Sequence, residues 1–172
     1  MKRPLSVLFI CLLLTISIEL FAKAATSKIM LKGADLSAPI KITDPKTLAD
    51  FVVWTGPGTS CSGEGCSKPS TESFIVNWSQ PMADPPKGLP RYEVSFYSKT
   101  PNERVVYVVF YEYDPATKHG YVYFPGRTDE SYWLNMGTIA RGVEGKWFRA
   151  SGAWEGVARP LISGTKAEPQ NK

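Results

Sequence analysis

Few side chains in this sequence could carry out chemistry. After an apolar N-terminal run containing Cys11, the only cysteines are Cys61 and Cys66, in Ser60-Cys61-Ser62-Gly63-Glu64-Gly65-Cys66. Gly63 and Gly65 let the intervening backbone bring the two Cα atoms into bridging range. Outside the cytosol such a pair oxidises, and so short a loop contributes roughly 2 kcal/mol on closure. The spacing is not C-x-x-C, and a zinc site needs about four ligands, so a structural disulfide is expected and no metal site. His119 is the only histidine. It lies among turn formers between Lys118 and Gly120, so a Ser-His or Cys-His centre has no buried, oriented base, and no catalytic residue is assigned.

Two features remain. Glu112 interrupts the apolar run Val105–Tyr113. By alternation it should point with Val108, Phe110 and Val122, where an ionised carboxylate needs a partner or shifts its protonation. It is the candidate perturbed acid. Glycosidic hydrolysis requires two acids about 5–9.5 Å apart, a distance that sequence does not report. The second feature is a set of tyrosines. Pairing Tyr113 with Tyr121 across the turn would put Tyr111 opposite Tyr123, and Tyr111, Tyr113, Tyr121 and Tyr123 on one face. Such a group offers flat, amphipathic contact area to a sugar ring or a protein partner. A one-residue slip in register would scatter it.

The elements that must position these residues follow from patterning. Lys28–Lys32 and Pro39–Thr43 read as short strands around Gly33-Ala34-Asp35. Asp44 caps a helix that has Pro45 at its first position and Leu48, Phe51 and Val52 on one stripe, ending by Gly56-Pro57-Gly58. Residues 73–78 read as a strand, and the four prolines between 79 and 90 as an irregular connection. Asn77-Trp78-Ser79 is a weak glycosylation match. Tyr92, Val94 and Phe96 alternate along a strand, Val105–Tyr113 suits a central strand, and Tyr121–Phe124 returns as its hairpin partner. A helix is expected from Asp129 to Arg141, a last strand within Gly145–Ala150, and a short helix after Ser151 that stops near Pro160. The expected class is α+β: an antiparallel sheet of about five to seven strands with three short packed helices.

Met1-Lys2-Arg3, the apolar run Leu5–Ile18 and Ala22-Lys23-Ala24 have the grammar of a secretory signal peptide cleaved after Ala24. The expected organisation is a leader at 1–24, one globular domain at 25–162 and a frayed polar tail at 163–172. The expected location is secreted or periplasmic, without a membrane span after cleavage. The 172 residues carry 20 basic and 16 acidic side chains. Cleavage would remove Lys2, Arg3, Lys23 and Glu19, leaving 17 against 15, too small an excess for nucleic acid. Nucleotide-cradling, nucleophile-elbow and metallohydrolase motifs are absent, and no cofactor is expected. The expectation is therefore a non-enzymatic module binding a protein or an envelope polymer such as a glycan. The alternative is a secreted, carbohydrate-directed hydrolase using an acid pair that includes Glu112.

Overall fold

Alternation decides which face of each strand is buried. In the computed structural model Tyr92, Val94 and Phe96 are at most 1% exposed, while Arg91 and Glu93 lie on the opposite face. The structure describes residues 25–33, 35–53, 72–82, 87–99, 102–136 and 142–165. The leader expected at 1–24, the bridge expected between Cys61 and Cys66, the part of the expected helix beyond 136 and the tail beyond 165 lie outside them.

Eight strands form one sheet: β1 (Thr26–Gly33), β2 (Ile40–Ile42), β3 (Glu72–Ser73), β4 (Val76–Met82), β5 (Arg91–Ser98), β6 (Arg104–Asp114), β7 (His119–Tyr123) and β8 (Trp147–Ala150). Their order is β2-β1-β5-β6-β7-β8-β4-β3, with every pair antiparallel. Among the described residues the helices are α1 (Pro45–Asp50), α2 (Tyr132–Met136) and α3 (Gly152–Thr165). The expected α+β class holds, with seven strands of three or more residues and a two-residue β3.

One face of the sheet carries the core. Ile29, Leu31, Val94, Phe96, Val109, Tyr111, Val122 and Phe148 pack there under α1 and α3. Trp154 of α3 sets its indole edge-on to Phe51 at 5.2 Å and to Tyr111 at 6.1 Å. The expected caps are in place. Asp44 accepts the Thr47 N–H at 2.8 Å to start α1, and the Ser151 hydroxyl accepts the Trp154 N–H at 3.2 Å to start α3.

Four local expectations give way. The strand expected over 73–78 is a hairpin, because Phe74 takes a left-handed φ of 60° and turns the chain between β3 and β4. That conformation is costly for an aromatic residue, and burial of the ring against Phe96 at 4.7 Å offsets it. Strand β4 also runs on into the proline-rich stretch, with Pro81 opposite Phe148 after a register shift. Helix α1 stops at Asp50, short of Gly56-Pro57-Gly58. Helix α3 continues through Pro160 to Thr165. Pro160 and Gly156, the residue whose carbonyl loses its bond, are both exposed, so water can satisfy that carbonyl. Beyond it, buried Ile162 anchors the helix, and the N–H and hydroxyl of Ser37 both donate to the Thr165 carbonyl.

Candidate binding face

The hairpin register settles where the sequence candidates go. Asp114 pairs with His119, Tyr113 with Gly120, Tyr111 with Val122 and Glu112 with Tyr121. This is one residue away from the expected Tyr113–Tyr121 pairing. Asp114 is the reason: its carboxylate takes the Ala116 N–H and the Thr117 hydroxyl, and Lys118 turns left-handed at φ 57°, closing the loop over residues 115–118. Gly120 is then a strand residue, not a turn residue. The four tyrosines split, with Tyr111 and Tyr113 on the core face and Tyr121 and Tyr123 on the other. Val122 likewise lies opposite Tyr111, away from Glu112.

The face opposite the core is built from cross-strand rows. One row runs Arg91–Glu112–Tyr121–Arg149–Asn77–Glu72 across β5, β6, β7, β8, β4 and β3. Beside it lies a second row, Lys32–Glu93–Phe110–Tyr123–Trp147, across β1, β5, β6, β7 and β8. Phe110 stacks on Tyr123 at 6.4 Å, and Tyr123 meets Trp147 at 5.1 Å. Arg91 Nε donates to Glu112 Oε1 at 2.7 Å, and its guanidinium lies 5.6 Å from both the Phe110 and the Trp147 ring centres. Arg149 lies 4.8 Å over Tyr121 and donates to its hydroxyl at 3.2 Å.

Burial grades across this face. Glu112, Tyr121 and Trp147 are buried, Phe110, Tyr123 and Arg149 are half-buried, and Arg91 is exposed. The polar ends are tied down. The Tyr123 hydroxyl and the Gly126 N–H both donate to Asp129 Oδ2, at 2.8 and 2.7 Å. Burial first and the Asp129 bond second hold the Tyr123 phenol above its ordinary value. Asn135 of α2 fixes the far end of the face. Strand β7 ends at Tyr123, and at Val108 the Asn135 side chain supplies bonds of the kind a strand would make. Its Oδ1 accepts the Val108 N–H at 2.8 Å and its Nδ2 donates to the Val108 carbonyl at 2.6 Å.

Glu112 is thus a buried acid paired to an arginine, with Oε2 buried and without a hydrogen-bond partner. Glu93, the acid diagonal to it, is taken by the Ser95 hydroxyl at 2.6 Å and by Lys32 at 3.9 Å. Among the described residues no group of three or more His, Cys, Asp or Glu side chains could hold a metal. His119 opens β7 as an exposed residue. Sequence reasoning passed over Arg91, Arg149, Trp147 and Asn135. The only signal for the two arginines was their place on alternating strands, beside aromatic residues.

On the core face Tyr113 and Tyr92 border a cavity of about 310 Å³ at the end of the sheet, under Arg159 of α3. Tyr111 lies behind them, fully buried. Comparison with protein-family models, with curated proteins and with solved structures returns no match. Among the described residues no helix is long and apolar enough to cross a membrane.

Proposed function

We propose that the chain is an exported, non-enzymatic binding module that holds an acidic envelope polymer, a carboxylate-bearing glycan, across the β5–β8 face. The observation that carries this reading is the setting of Arg91. Its Nε is bonded to buried Glu112 and its guanidinium carbon lies 5.6 Å from the ring centres of both Phe110 and Trp147, while half of its side chain stays exposed. Among the described residues Arg91 hydrogen-bonds only through Nε. Its two amino groups therefore form an oriented fork that matches a carboxylate in two-point fashion. Holding the side chain beforehand reduces the entropy lost when a ligand is taken. Arg149 on Tyr121 repeats the device two strands beyond Glu112.

A glycan suits the face better than a peptide. The accessible members of the first row, Arg91, Arg149, Asn77 and Glu72, mix donors and acceptors, as the hydroxyls of a sugar chain require. An extended peptide gains its main-chain bonds at a sheet edge, and this surface is a sheet face. The hydrolase reading of Glu112 has less behind it. Its charge is matched by Arg91, and Glu93, the acid diagonal to it, is engaged by Ser95 and Lys32.

The test is an array of acidic and neutral polysaccharides probed with the chain from residue 25 onward and with its Arg91→Ala and Arg91→Lys variants. Binding to uronate-bearing chains is expected, weakened by added salt, lost in Arg91→Ala and mostly lost in Arg91→Lys. Silence on every acidic glycan, or equal binding by Arg91→Ala, would overturn the proposal.

A further inference from the structure

A second site lies on the core side of the sheet, independent of the face just described. The cavity of about 310 Å³ is walled by Tyr92 and Tyr113, by Pro90 and Pro115, and by Arg159 and Ser163 of α3. That volume is at the small end of sites for single small molecules. Its charges are already matched. Arg159 Nη2 is ion-paired with Glu155 Oε2, while Glu155 Oε1 accepts the Gly120 N–H. Arg159 Nη1 donates to the Tyr113 hydroxyl at 3.3 Å, and its guanidinium lies 4.9 Å over the same ring. The Tyr92 hydroxyl donates to Asp35 Oδ2 at 2.7 Å, which leaves that hydroxyl's oxygen to accept.

The wall therefore combines flat apolar rings with hydroxyls that both donate and accept, around a guanidinium whose charge is compensated. From this we infer that the cavity binds one uncharged pyranose ring. Its apolar face would lie against the Tyr113 and proline rings, and its hydroxyls would meet Tyr113, Ser163 and the remaining Arg159 N–H groups. Unlike Arg91, Arg159 has both amino groups engaged, Nη2 with Glu155 and Nη1 with Tyr113, so it offers an anionic ligand no open fork, and a purely apolar ligand would leave the polar groups unmet.

Ligand-observed NMR and calorimetry on the chain from residue 25 onward test this, with glucose, galactose and N-acetylglucosamine as probes and glucuronate as the charged comparator. At least one neutral sugar is expected to bind, and to bind more tightly than glucuronate. Ser163→Trp, at an exposed helical position beside the cavity, should abolish that binding. Tyr113→Phe, which removes only a hydroxyl, should weaken it about three- to tenfold, the worth of one neutral hydrogen bond. Arg91→Ala should leave it unchanged. Failure of all three neutral sugars to bind, preference for glucuronate, or undiminished binding by Ser163→Trp overturns the inference. Sugar binding that Arg91→Ala removes and Ser163→Trp spares would belong to the other face, and it too overturns it.

Discussion

Arg91 and Glu112 stand directly opposite each other on β5 and β6, and a 2.7 Å hydrogen bond joins Arg91 Nε to Glu112 Oε1. The two ends of this pair differ in exposure. The Glu112 side chain is 4% exposed and that of Arg91 is 52%. A buried charge is thus held by a half-solvated one. Losing the arginine strands the carboxylate, whereas neutralising the carboxylate leaves the arginine in reach of water.

Arg91→Ala should therefore destabilise the fold by about 2 kcal/mol, below the 3–5 kcal/mol of a fully buried pair because Arg91 is half exposed. Glu112→Gln should cost less, since it buries an amide and no charge. Urea denaturation of both variants gives the comparison, and equal costs would show that charge is not what the pair contributes.

Asn135→Ala removes both bonds to Val108 and leaves a buried N–H and a buried carbonyl unmet, at about 2–3 kcal/mol. Asn135→Asp should fare no better, because a carboxylate cannot donate to the Val108 carbonyl. Amide hydrogen exchange at Val108 would accelerate in Asn135→Ala, where the acceptor is gone, and less in Asn135→Asp, which keeps it; unchanged protection in Asn135→Ala would refute the clamp.

Tyr111 and Gly120 give a matched pair of expectations. A Cβ on Gly120 would lie 2.6 Å from Tyr111 Cε2 and 2.7 Å from Glu155 Oε1. Gly120→Ala should thus cost about 1–3 kcal/mol through overpacking. The Tyr111 hydroxyl is buried without a hydrogen-bond partner. Tyr111→Phe should then be neutral or stabilising by up to about 1 kcal/mol. Thermal melts of the two variants should move in opposite directions, or Tyr111→Phe should not move at all.

Acid and alkali should act on different residues. The Thr47 N–H and then the Thr47 hydroxyl hold Asp44 below its ordinary 3.8, and the Thr117 hydroxyl and then the Ala116 N–H do the same for Asp114. Their contribution is complete above the ordinary carboxylate value and disappears as pH falls through the lowered ones. Asp44→Asn, which still caps but does not titrate, should flatten the acid limb of the stability curve.

On the alkaline side, burial raises Tyr92, Tyr107 and Tyr111 well above the ordinary 10.0, with Asp35, Glu144 and Glu155 respectively adding to it. The stability tied to the neutral phenols is present below that value and is lost as pH climbs above it. Tyrosinate absorbance from these three should thus appear together with loss of the far-ultraviolet circular dichroism. Their ionisation in a chain that stays folded would contradict it.

Much of the fold was legible because side-chain period and cap chemistry are local properties. Tyr92, Val94 and Phe96 alternate, Asp44-Pro45 starts α1, and Ser151 starts α3, each as read. The candidate site was not legible, because it depends on register, which a single residue decides. Gly120 has the composition of a turn, but the loop closed by Asp114 places it on a strand, where Tyr111 and Glu155 fill the space a side chain would occupy. The importance of Glu155 was hidden for the same reason. Its partners Gly120 and Arg159 converge only after β7 and α3 have docked. The continuation of α3 past Pro160 required Ser37, far away in sequence, to receive its end.

The position of β8 between β7 and β4 governs the order of assembly. Strand β4 finds no hydrogen-bonded neighbour towards β7 until Ala150 arrives opposite Val76. A nascent polypeptide can zip β1, β2, β5, β6 and β7 into a partial sheet, but must then wait for β8. That closure joins segments far apart along the chain and is expected to be slow. A ribosome product cut before Trp147 would keep two raw strand margins and invite mispairing with its neighbours.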